Sequence, residues 1–122
     1  MSLIKPFRAL RPAAGRSEDV VAPPYDVVDR AEAKALVAGR PWSFLHISRP
    51  EIDLGDEVDP YDASVYEKGR ENLQRMLDEG VLQRDATPCY YAYRLTMGNH
   101  RQTGLVATAS VDAYDRNRVR KH

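Results

Sequence analysis

One cysteine in 122 residues, Cys89, excludes an internal disulfide and a thiolate metal cluster. The three histidines, His46, His100 and His122, have no second histidine at i+3 or i+4, so no zinc site and no metal-ligating residues are expected from this chain. Net charge is also missing: 18 basic residues cancel 18 acidic ones. A neutral chain argues against a nucleic-acid partner, because binding a phosphate backbone calls for a basic surplus. The basic run at residues 116–122 reads instead as a solvated strand or tail. No apolar stretch nears the ~20 residues that span a bilayer, and the N-terminus lacks a signal-peptide core. No membrane contact and a cytoplasmic location are therefore expected, in keeping with one reduced thiol. The phosphate-cradling glycine loop, the dinucleotide fingerprint and the Gly-x-Ser-x-Gly elbow are all absent, so no cofactor can be named.

What is present suits a folded chain. Hydrophobic residues make up 43% and charged residues 30% of the sequence, the balance of a globular protein. No linker or repeat divides residues 1–122, which read as one domain. Proline near both ends of Ile4-Lys5-Pro6-Phe7-Arg8-Ala9-Leu10-Arg11-Pro12 predicts an extended edge segment, followed by a loop over residues 13–19. Asp29-x-x-Glu32 predicts a capped helix carrying Ala33, Leu36 and Val37 and ending at Gly39. Trp42-Ser43-Phe44-Leu45-His46-Ile47 is rich in β-formers and predicts a core strand. An acidic surface loop follows over residues 51–60. Ser64-Val65-Tyr66-Glu67 has the form of a capping box opening the longest helix, with Tyr66, Leu73, Met76 and Leu77 on its buried face.

The last third changes to period 2. Cys89, Tyr91, Tyr93 and Leu95 alternate with Tyr90, Ala92, Arg94 and Thr96; after a turn at Met97-Gly98-Asn99-His100, the chain returns through residues 102–111 as a hairpin. Cys89 in this apolar-aromatic run is expected to be a buried thiol and not a nucleophile. The order strand, helix, strand, long helix, hairpin predicts an α+β fold: a mixed or antiparallel sheet, two main helices packed on it and a C-terminal β-hairpin. Residues 118–122 look like the start of another extended segment. The chain therefore reads as an N-terminal fragment whose open edge is covered by the remainder of a longer protein or by self-association.

Three groups of residues offer chemistry. In Ala22-Pro23-Pro24-Tyr25-Asp26-Val27-Val28, two prolines stiffen the backbone and present Tyr25 and Asp26 at little further entropic cost. That arrangement suits a binding or catalytic loop, and equally a structural corner. His46-Ile47-Ser48-Arg49-Pro50-Glu51 places an imidazole, a guanidinium and a carboxylate at the end of the expected strand, where they can meet a charged ligand; the alternative is an Arg49–Glu51 ion pair with His46 half-buried. Arg94 and Gln102, brought together by the hairpin, can line an anion-binding surface or simply form the polar outer face of a sheet.

Taken with Ile4-Lys5-Pro6-Phe7-Arg8-Ala9 and with Tyr93-Arg94-x-Thr96 followed by Gln102-x-Gly104, the Pro-Pro-Tyr-Asp segment and the run from Ser43 to Glu51 strongly resemble the bacterial and archaeal family called domain of unknown function 1015. The likeness follows the chain in order. Members of that family are longer, and a later segment carries an Asp-Gly-His-His-Arg motif similar to the ligand motif of the ParB–sulfiredoxin-like superfamily, which includes free-serine kinases. The resemblance implies an uncharacterised protein whose best reading is the N-terminal part of a small-molecule enzyme, a kinase-like phosphotransferase with a small anionic metabolite as ligand. On this reading Asp26 and His46 are catalytic, and Tyr25, Arg49, Glu51, Arg94 and Gln102 bind ligand. Removal of the Arg49 side chain should then weaken binding and leave folding nearly intact. The alternative is a non-enzymatic ligand-sensing or protein-interaction module.

Overall fold

Asp29 caps a helix as its spacing from Glu32 predicts. The structure is a computed structural model describing residues 3–120. In it the Asp29 carboxylate accepts from the Glu32 N–H at 2.8 Å, and the Glu32 carboxylate accepts from the Asp29 N–H at 2.8 Å. Two otherwise orphaned donors at the start of α2 (Arg30–Val37) are thus satisfied together. Asp29→Ala is expected to lower stability by about 1 kcal/mol, measured by urea denaturation; no loss would mean that the box forms without contributing.

The fold is α+β. In chain order it comprises β1 (Ile4–Lys5), β2 (Leu10–Pro12), α1 (Ser17–Val20), α2, α3 (Leu45–Ser48), a 3-10 turn (Pro50–Asp53), α4 (Ala63–Asp78), β3 (Leu82–Arg84), β4 (Tyr91–Met97), β5 (His100–Val106), β6 (Thr108–Ala109) and α5 (Val111–Asp115). The strands form three two-stranded ladders, β1 with β6, β2 with β3 and β4 with β5, and not one sheet for the helices to cover. The chain divides into two compact units, Arg11–Gln83 and the pair of segments Met1–Leu10 and Arg84–His122.

In the Arg11–Gln83 unit, α3 and the 3-10 turn pack against both α2 and α4. One buried cluster joins Val20, Met76, Val81 and Leu82, with Trp42, Ile47, Leu73 and Leu77 against it; a second joins Ala33, Leu45 and Ile52, with Ala22, Val28 and Val37. The strand expected over residues 42–47 is instead a turn leading into α3. A short apolar run fits a buried helical turn as well as a strand, and here Pro41 and Pro50 bracket it while Leu45 fills the space beside Ala33. Residues 17–19 of the expected loop likewise form, with Val20, the single turn α1.

The long helix begins earlier than its Ser64 box suggests. Asp62 is the cap, accepting from the Ser64 N–H at 2.9 Å and from its hydroxyl at 2.6 Å. These bonds, the hydroxyl's foremost, hold the Asp62 carboxyl below the ordinary carboxylate range, so the capping interaction is present at neutral pH and is lost as pH falls through the lowered value. The buried face of α4 is Val65, Gly69, Asn72 and Met76, while Tyr66 points outward. Past the helix, Gly80 turns at φ 70°, and the Val81 N–H returns to the Met76 carbonyl at 2.9 Å.

In the other unit, β1 pairs with β6 through Ile4↔Ala109 and Lys5↔Thr108, and Phe7 bridges Cys89. The Phe7 ring lies 5.2 Å from that of Tyr91, whose hydroxyl accepts from the Ala9 N–H and meets the Asp85 carboxylate at 2.5 Å. Partial burial and this carboxylate both push the Tyr91 phenol up from its ordinary value. Cys89 is half-buried, its thiol directed to the Thr87 carbonyl. The expected hairpin is β4–β5, closed by Gly98 at φ 59°. Its return strand ends at Val106, short of the expected 111, because Ser110 caps α5 from the Ala113 N–H. Residues 118–120 do not start a strand. The Arg118 and Val119 N–H groups close on the Ala113 carbonyl; residues 121 and 122 lie outside the described residues.

Candidate functional site

Pro24 and Val27 close a turn through the Val27 N–H and Pro24 carbonyl at 3.3 Å, with Tyr25 and Asp26 at its two exposed central positions. This turn is held from across the sequence by Arg49. Its Nη1 donates to the Val28 carbonyl at 2.6 Å and the Tyr25 carbonyl at 3.0 Å, and its Nε donates to the Glu51 carboxylate at 2.6 Å. Glu51 is 5% exposed, so its charge is satisfied from within the protein. Nη2 of Arg49 has no hydrogen bond among the described residues.

Tyr25, Asp26, Arg49 and Glu51 line a single open cleft of about 840 Å³. Val65, Gly69 and Leu73 of α4, with Ile47 and Pro50, supply its apolar lining. Gly69 permits this geometry: a Cβ there would sit 3.0 Å from Pro50 Cγ and 3.5 Å from the Ile47 carbonyl oxygen. Tyr25, Tyr61 and Tyr66 line the same cleft and are 61%, 83% and 64% exposed, three aromatic faces left to solvent. Arg70 also lines it, paired with Glu67; hydrogen bonding to that carboxylate raises the guanidinium further and lowers the Glu67 carboxyl. The Asp26 carboxylate has no hydrogen bond or ion pair among the described residues.

His46 does not line this cleft. It is 9% exposed, with Nδ1 2.8 and 2.9 Å from the two Asp53 carboxylate oxygens and Nε2 3.2 Å from the Arg40 carbonyl. Asn72 Nδ2 donates to the His46 carbonyl at 2.7 Å and to Asp53 at 2.9 Å, tying α4 to α3 and the 3-10 turn. Both ring nitrogens are engaged, so the geometry makes His46 a residue that holds the wall in place, and the expected convergence of His46 and Ser48 on a ligand falls with the strand that would have produced it. The Ser48 hydroxyl turns back to the Phe44 carbonyl.

Arg94 and Gln102 belong to the other unit, where they do not share a surface. The register pairs Arg94 with Thr103 and Leu95 with Gln102, which puts the guanidinium and the carboxamide on opposite faces of the ribbon. The correction comes from the turn: with Gly98 and Asn99 alone between Met97 and His100, every cross-strand pair is set.

The sequence pattern of the family described as "Protein of unknown function (DUF1015)" matches residues 4–122. The chain belongs to the DUF1015 family. No curated protein and no solved structure matches it. Its DUF1015 membership thus confirms the resemblance without assigning a reaction, and the geometry carries the rest.

One residue with a large structural part was not singled out by the sequence reading. Arg30, the first residue of α2, donates from Nη1 to the Val58 and Asp56 carbonyls at 3.0 and 3.4 Å and from Nη2 to the Gly55 and Glu51 carbonyls at 2.7 and 3.0 Å. The acidic loop thus wraps one guanidinium. Lys34 pins the same loop through Asp56, whose carboxyl is lowered chiefly by the Lys34 hydrogen bond and charge. The available signal was electrostatic: a cation in a helix's first turn opposes the helix dipole, so Arg30 needed an acceptor elsewhere.

Proposed function

We propose that the cleft binds a small metabolite bearing a ring and an anionic group. The supporting observation is that Tyr25 and Asp26 from one segment, and Arg49 and Glu51 from another, line one cleft of about 840 Å³. Small-ligand sites commonly occupy roughly 300–1,000 Å³ and combine apolar walls with a few placed polar groups. Here the tyrosine faces stack on the ring, Arg70 and Nη2 of Arg49 meet the anion, and Asp26 accepts a hydrogen bond from a ligand hydroxyl. Glu51 neutralises and orients Arg49 and does not contact ligand.

Such a cleft suits a phosphotransferase, in which Asp26 accepts the proton of an attacking ligand hydroxyl, the terminal phosphoryl group of a nucleoside triphosphate passes to that oxygen as its bond to the departing diphosphate breaks, and the guanidinium groups balance charge on the transferred group. Without turnover the same cleft is a sensor. Inorganic phosphate, pyrophosphate, a nucleoside triphosphate and individual amino acids would be tested by thermal shift and calorimetric titration. At least one is expected to raise the melting temperature. Asp26→Ala and Arg70→Ala should each weaken its binding about tenfold without altering the unliganded melting temperature, as loss of a charge-assisted hydrogen bond at an exposed site requires. No shift with any probe, or affinities untouched by both substitutions, would overturn the reading. Consumption of the triphosphate in the presence of a bound co-ligand separates the enzyme from the sensor.

A further inference from the structure

Zero net charge conceals a segregation. The Met1–Leu10 and Arg84–His122 unit holds nine of the basic residues and three of the acidic ones, a surplus of six; the Arg11–Gln83 unit holds nine basic and fifteen acidic residues, a deficit of six. Salt screens charges beyond about 8 Å, while a strand of this length extends roughly 24 Å. A partner docking on the first unit therefore meets its local surplus and not the sum over the chain.

That surplus has a geometry. The register places Arg94 opposite Thr103 and Thr96 opposite Arg101, so all four side chains share one face of the β4–β5 ribbon. All four are exposed. Arg94 donates to the Thr103 hydroxyl at 3.3 Å. Among the described residues no carboxylate forms an ion pair with Arg94 or Arg101, and several ion pairs lie within the other unit. There, Asp19, Glu51, Asp53, Asp56, Glu67 and Glu71 already face cationic or imidazole partners. Two guanidinium groups and two hydroxyls aligned along one narrow ribbon suit a groove walled by regularly spaced anions, which favours an external polyanion; the carboxylates of that unit outside these pairs make a second copy the competing occupant that the test below separates.

We propose that the β4–β5 ribbon docks in the major groove of duplex DNA with its Arg94, Thr96, Arg101 and Thr103 face inward. A groove about 12 Å wide admits a two-stranded antiparallel ribbon. Guanidinium groups donate to phosphate oxygens and to guanine edges, and threonine hydroxyls serve either. The opposite face, with Tyr93, Leu95 and Met97, carries no Lys, Arg, Asp or Glu and stays outside the groove.

The 122-residue chain would be titrated into a labelled duplex of about 20 base pairs, with single-stranded DNA, RNA and anionic phosphatidylserine vesicles in parallel. The duplex is expected to bind tightest. Its affinity should fall at least about tenfold between about 50 and 200 mM salt, as neutralising two phosphates requires. Arg94→Ala with Arg101→Ala should reduce affinity about tenfold and leave the melting temperature unchanged, with the corresponding lysine pair retaining most of it. No binding at low salt, indifference to the alanine pair, or equal or tighter binding to single strand, RNA or vesicles would overturn the proposal. Salt-sensitive self-association by sedimentation without duplex binding would also overturn it and assign the surplus to the acidic unit of a second copy.

Discussion

Arg49→Ala is expected to lower the free energy of unfolding by about 3 kcal/mol, because it leaves Glu51 charged and unpaired in the interior. The same substitution frees the Tyr25 and Val28 carbonyls that Nη1 holds, so the turn carrying Tyr25 and Asp26 loses its anchor. Urea denaturation measures the loss. A change below about 1 kcal/mol would mean that the Glu51 carboxylate reaches water, contrary to its burial. Lysine at position 49 should rescue little, since one ammonium cannot reproduce a planar fork serving two carbonyls and a carboxylate. Replacing Glu51 by glutamine in the Arg49→Ala background should recover part of the stability by removing the stranded charge. The sequence-based expectation that Arg49 could be truncated with folding intact is thereby reversed. Loss of ligand binding in that variant reports on the turn as much as on any contact with ligand, which is why Asp26 and Arg70 are the better probes of the cleft.

Leu45→Ala should cost about 3 kcal/mol, within the 2–5 kcal/mol that removal of a fully buried leucine side chain takes. Leu45 has no solvent exposure and packs with Ala33 and Ile52. Its neighbour Phe44 is 42% exposed, so Phe44→Ala should cost clearly less despite removing the larger side chain. Chemical denaturation of the two variants under the same conditions tests this packing. A strand would carry Leu45 and Ile47 to the same face. The short helix instead directs Leu45 into the core and Ile47 toward the cluster around Met76. Equal losses at 44 and 45 would contradict this packing.

What could be read in advance was what short-range chemistry determines. The Asp29–Glu32 box and the Gly98-Asn99 turn each specify a backbone conformation within a few residues, and α2 and the β4–β5 hairpin form where those signals place them. The segment from Trp42 to Ile47 gave no such signal. Its composition favours strands, but the conformation is decided by contacts made across the chain, with Ala33 twelve positions before Leu45 and Met76 twenty-nine after Ile47. The buried face of α4 was read in part, Met76, Leu73 and Leu77 packing inward while Tyr66 is exposed, and its other buried residues were missed for a related reason. Gly69 and Asn72 are buried because Pro50 must approach one and the His46–Asp53 pair needs the other, and neither residue type advertises burial. The candidate site was partly legible. The stiff Pro-Pro-Tyr-Asp segment and the Arg49–Glu51 pair do line one cleft, whereas Arg94 and Gln102 were joined by proximity in sequence without regard to which face of a ribbon each occupies.

The wrapping of residues 51–58 around Arg30 gives that loop an unusual kind of cooperativity. A segment secured by a strand ladder can peel from one end, one hydrogen bond at a time. Here four carbonyls converge on a single side chain, so when the guanidinium withdraws all four lose this donor together, the Glu51 and Gly55 carbonyls keeping only their local turn bonds from the Leu54 and Val58 N–H groups. The loop thus behaves as a clasp with Arg30 as its main fastening and the Lys34–Asp56 pair as a second, and because Glu51 lies at its first turn, undoing it also loosens the wall on which Arg49 is mounted.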